Sequence, residues 1–171
     1  ASLDQYSLKT LRESAPETLK KPLQRLNREW NALHKDQLAP YQAYAAKPDK
    51  LLQALSLCTS AMGDYFNDHP EALSGDLQAF YFDALQWAKV AELFNEHFIF
   101  DITKRSFSGK RNSSTLCLRN VVPAEFIRPR LTAARSSVLF SATLSPRHYY
   151  ADLLGLPADT AWVDVASPFK A

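Results

Sequence analysis

Residues 136–146 read Ser-Ser-Val-Leu-Phe-Ser-Ala-Thr-Leu-Ser-Pro. Val138, Leu139 and Phe140 form a short apolar run closed by a small polar turn. Such a run suits a buried strand of a parallel sheet, although one this short fits a helix as well. Ser141, Ala142 and Thr143 then set two hydroxyls where that strand would end. Pro146 has no N–H to lose and suits the first turn of a following helix. The carboxyl ends of parallel strands are where α/β proteins hold ligands. This stretch is therefore the candidate functional edge.

Working outward, 171 residues suffice for one domain or two small ones. Hydrophobic content of 46% and charged content of 22% are ordinary for a globular chain. Four glycines against ten prolines argue against a complete Gly-rich nucleotide cradle. The net charge of +2 is unevenly spread. Residues 1–96 hold 10 Lys/Arg against 13 Asp/Glu, whereas 97–171 hold 10 against 5. The second part therefore either faces an anion such as nucleic acid or carries a solvated basic surface. Cys58 and Cys117 lie far apart, outside any metal-ligand spacing, and read as buried thiols of a reducing cytoplasm. No membrane-length apolar run is present.

The first part reads as helical. Leu19, Leu23, Leu26, Trp30 and Leu33 make one stripe over 14–36, with Ser14 and Glu17 spaced as a capping box. Pro22 either marks the true first turn or kinks that helix. Pro48 opens a second helix on Leu51, Leu55, Cys58, Met62 and Tyr65, which stops before Pro70. Ser74 is placed to cap a third, over about 76–96. Its apolar residues cover most of the circumference, which predicts a central spine packed on both sides.

At Phe98 the period changes to two. Phe98, Phe100 and Ile102 alternate with Ile99, Asp101 and Thr103, and a second strand is expected over 115–121. The loop between them holds Lys104, Arg105, Lys110 and Arg111, candidate contacts for a phosphate backbone. It is no phosphate-binding loop of the nucleotide-hydrolase kind: Lys104 stands where the first Gly belongs, and Arg111 where Ser or Thr belongs. A helix from Pro123 to about Ala134, the 138–140 strand, a helix from Pro146 to Gly155 and a strand over 161–165 follow. This alternation predicts an α/β segment, so the chain as a whole is expected to be α+β. No catalytic motif or metal-ligand spacing is visible, so catalytic and metal residues within the chain are expected to be none.

Ser141-Ala142-Thr143-Leu144-Ser145-Pro146, then Leu153-Leu154-Gly155, then Ser167-Pro168-Phe169 resemble the XPD/DinG family of superfamily 2 DNA helicases. The resemblance implies a helical Arch-type domain over 1–96, closing strands of the first motor domain over 97–145, and the start of the second motor domain over 146–171. It implies an internal piece of an ATP-dependent 5′–3′ helicase acting in DNA repair or replication. Ser141, Ala142 and Thr143 would couple nucleotide state to DNA. ATP and magnesium, and in some members an iron–sulfur cluster, would be held elsewhere in the parent protein. Single-stranded or forked DNA would be the partner, without membrane, in a bacterial cytoplasm close to the nucleoid. The rival expectation is a stand-alone helical module that docks a protein through an exposed apolar patch.

Overall fold

A computed structural model describes residues 1–35, 37–72, 75–105 and 113–166. The chain forms two units, residues 1–121 and 122–171. The first contains β1 (Ser2–Asp4), α1 (Gln5–Ser14), α2 (Glu17–Leu33), β2 (Tyr41–Tyr44) and α3 (Asp49–Asp68). A single 3-10 turn (Pro70–Ala72), α4 (Gly75–Glu92), β3 (Phe98–Arg105) and β4 (Ser113–Asn120) complete it. The second contains α5 (Ala124–Ala133) and α6 (Arg147–Leu154). The class is α+β, as expected.

Helix α1 starts where the Asp4 carboxylate accepts the Tyr6 N–H at 2.8 Å. It buries Leu8 and Leu11. Ser14 closes α1, and its hydroxyl turns back to the Thr10 carbonyl at 3.5 Å. The expected capping box with Glu17 therefore does not form. Pro16 instead holds Ala15 extended and opens α2. The helix runs through Pro22, which removes one N–H just beyond the first turn. Leu19, Leu23, Leu26 and Trp30 are buried as the spacing predicts. The cap expected at Ser74 lies outside the described residues.

Helix α4 packs on helices and on the sheet, as a central helix should, but it is not buried all round. Phe80, Ala84, Trp87 and Ala91 form one buried stripe, whereas Leu85 is exposed and Phe82 is 50% exposed, as is Leu93 just past the helix end. The four helices close a ring: α2 packs on α1 and α3, and α4 packs on α3 and α1. The sheet fills a further side of α4, and Phe82 and Leu85 are left exposed. A helix's hydrophobic content does not tell how many neighbours it has.

The four strands run in the order β1-β4-β3-β2, and every pair is antiparallel. Phe100 pairs with Leu118, and Ile102 with Leu116, on the face turned to the helices. Trp87 meets Phe100 edge-on at 6.3 Å, and the Trp30 indole donates to the Ser114 hydroxyl at 2.9 Å. Both indoles are fully buried, each worth roughly 1.5–3 kcal/mol or more of transfer free energy. Strands β1 and β2 come from the helical part and flank the hairpin. The hairpin thus belongs with the helices, and the boundary expected at 96 falls inside the first unit.

The strands expected over 138–140 and 161–165 do not form, and no parallel pair exists among the described residues. A strand needs a neighbour for its backbone N–H and C=O groups. Neither segment has one, and Val138 and Phe140 are 84% and 90% exposed. Helices α5 and α6 form where Pro123 and Pro146 predict and pack on each other. Gly155 ends α6 at φ +65°, with its amide on Asp152 at 3.2 Å and the Leu156 amide on Ala151 at 2.9 Å. A Cβ there would lie 3.0 Å from the Ala124 carbonyl oxygen.

Candidate nucleic-acid interface

In the second unit the two predicted hydroxyls come together. Ser141 Oγ accepts the Thr143 amide at 3.1 Å and lies 3.2 Å from Thr143 Oγ1. This local turn leaves Ser141, Ala142 and Thr143 exposed. Each hydroxyl retains capacity for a further partner. Arg147, one residue after Pro146, donates to the Thr160 carbonyl at 3.1 Å and lies 5.4 Å from the Trp162 ring centre.

In the first unit the strand alternation separates Lys104 from Arg105. Lys104 points to the helix side, where its ammonium donates to the Gln37 carbonyl. Gln37 is buried, and its side-chain amide donates to Ala39 at 2.9 Å and Ile102 at 3.2 Å. Beside it, burial lowers the His34 pKa, helped by repulsion from Lys104 and Lys9. Arg105 is exposed on the opposite face of the sheet. Lys110 and Arg111, with Phe107 and Gly109, lie outside the described residues, as do Ser167, Pro168 and Phe169.

That opposite face bears a group the sequence reading passed over. Asp101 is 0% exposed, and its Oδ2 accepts the Arg119 Nε–H at 2.5 Å. The hydrogen bond to Asp101 raises the Arg119 pKa, with smaller contributions from the Cys117 thiol, the Asp101 charge and the Tyr41 phenol. Asp101 pairs with Ala43 on β2 and Cys117 on β4. Tyr41 and Arg119 are its diagonal neighbours on the two sides. Asp101 Oδ1 and Thr115 Oγ1 are buried without a partner among the described residues. The signal was in the alternation: once Leu116 and Leu118 face the core, Cys117 and Arg119 must face away.

Cys58 is free and buried, and burial pushes its thiol up to about 12. Among the described residues, no group of three or more metal-ligating side chains gathers, and no helix is long and apolar enough to cross a membrane. Comparison with protein-family models, curated proteins and solved structures gives no match.

Proposed function

We propose that this chain belongs to an ATP-dependent 5′–3′ DNA helicase of the XPD/DinG kind. It contributes the helical Arch that single-stranded or forked DNA passes, and the Ser141–Ala142–Thr143 coupling turn. The observation that carries the reading is the order of the second unit. An apolar run leads into two hydroxyls 3.2 Å apart, and then Pro146 opens a helix that stops at Gly155. The exposed Val138 and Phe140 support it, because they suit a strand that joins a larger sheet. ATP, magnesium and any iron–sulfur cluster belong to other parts of the parent protein. Phosphoryl transfer there rests on positioning and electrostatics, and the turn relays its outcome.

The test uses purified 171-residue chain and the full-length parent. The chain alone should hydrolyse no ATP and bind single strands weakly, with steep salt dependence. The parent should separate a duplex bearing a 5′ overhang only with ATP. ATP turnover by the chain alone, or a parent without unwinding, contradicts the proposal.

A docking module remains the second reading, favoured by Phe82 and Leu85 exposed on α4 and Leu93 exposed just past its end. Salt-independent capture of a protein partner without any strand binding would select it.

A further inference from the structure

We propose that the helix-free face of the sheet is a platform for a single nucleic-acid strand, with Tyr41 stacking a base and Arg119 holding a phosphate. The proposal rests on the reading of single-stranded DNA as partner, and names a surface other than the 104–111 loop. Strand pairing puts Ser2, Tyr41, Ala43, Ile99, Thr103 and Thr115 on this face with Arg105 and Arg119. Among the described residues of the first unit, the helices meet the opposite, Phe100–Leu118 side.

Three features fit a strand. Tyr41 is 50% exposed at the edge strand, presenting a ring to solvent. Most side chains between it and Arg119 are small, so a flexible backbone can approach the sheet. Arg119 is held by the buried Asp101 through Nε alone, and its side chain is 54% exposed. The four N–H groups of its two terminal nitrogens remain to form a fork, the geometry that matches a phosphate. A guanidinium fixed beforehand loses less freedom on binding.

Charge complementarity favours a strand over an acidic peptide only together with the ring. Asp101 is matched by Arg119, while Asp4 is committed to the Tyr6 amide and the Ser113 hydroxyl. Arg105 then adds positive charge on the same face. Aromatic rings on an open sheet serve bases of any sequence, because every base has a π-face. The platform therefore takes single strands with little sequence preference.

The experiment is fluorescence anisotropy of labelled oligo-dT against the full 171-residue chain across a salt series. Tyr41→Ala should weaken binding roughly tenfold with an unchanged salt slope, and Tyr41→Phe should restore it. Arg119→Gln should lower the slope of log K against log salt by about 0.7, the share of one phosphate on a single strand. Amide exchange on each variant verifies the fold, and Tyr41 carries the test if Arg119→Gln unfolds. Wild-type affinity and slope in both variants would overturn the platform. If neutralising Lys104, Lys110 and Arg111 then abolished binding, the strand would lie on the loop and the helicase reading would stand. A wild-type chain that ignores oligo-dT but binds an acidic peptide would overturn both.

Discussion

Two buried polar groups show how this sheet is held from both sides. On the helix side, Ser114 links the Trp30 indole at 2.9 Å to Gln5 at 3.3 Å, and Gln5 reaches Asn31 at 2.7 Å. That chain of bonds ties α1, α2 and β4 together and satisfies donors that would otherwise cost about 1–3 kcal/mol each. On the other side, Asp101 is tolerable at 0% exposure because Arg119 answers its charge. His34 is the titrating weak point. Burial comes first, then Lys104 and Lys9, and all three hold its pKa below the usual 6.5. The unfolded chain therefore binds a proton before the folded one does as pH falls. Stability should drop as pH falls below about 6.5 through the folded pKa. His34→Gln should flatten that dependence, read as Tm against pH between neutral and mildly acidic buffer. An equal slope in the variant would assign the acid sensitivity to other groups.

At the level of elements, periodicity carried most of the reading. The stripe of α2, the second helix and the switch to alternation at Phe98 all stand where the residues place them. What escaped was short: β1 has three residues and β2 has four, too few for a period to register. Missing them hid the closure of an antiparallel sheet around the hairpin. Helix α1 escaped because its stripe is two leucines long, and Ser14 was then read as a beginning instead of an end. The 138–140 run has strand chemistry but no neighbour, and a pattern of side chains cannot supply one. Gly155 was legible as a stop for a physical reason: φ +65° and the approach of Ala124 both exclude a Cβ. Gly155→Ala should cost about 1–2 kcal/mol of second-unit stability from the left-handed conformation alone. Local amide exchange over α5 and α6 measures it. Unchanged protection would mean the cap is not what holds those two helices.

For the whole molecule, the unevenness of charge is an organising fact. The more basic stretch begins at the hairpin, and its described arginines include Arg105 and Arg119 on one strand face, Arg128 and Arg130 in α5 and Arg147 in α6. Of the candidate site, the Ser141–Thr143 turn was legible because its hydroxyls act locally. The Tyr41–Asp101–Arg119 diagonal was not, because it needs the pairing of three strands from distant parts of the chain. On the proposed reading the first unit would hold a strand, and the second would carry the turn that senses the motor. Coupling in the proposed full-length helicase is therefore the central claim. The direct measurement is Thr143→Ala in that protein, with ATP binding, ATP hydrolysis and duplex unwinding followed side by side. A coupling role predicts retained ATP binding and fewer base pairs opened per ATP; unwinding per ATP at the wild-type level would contradict it.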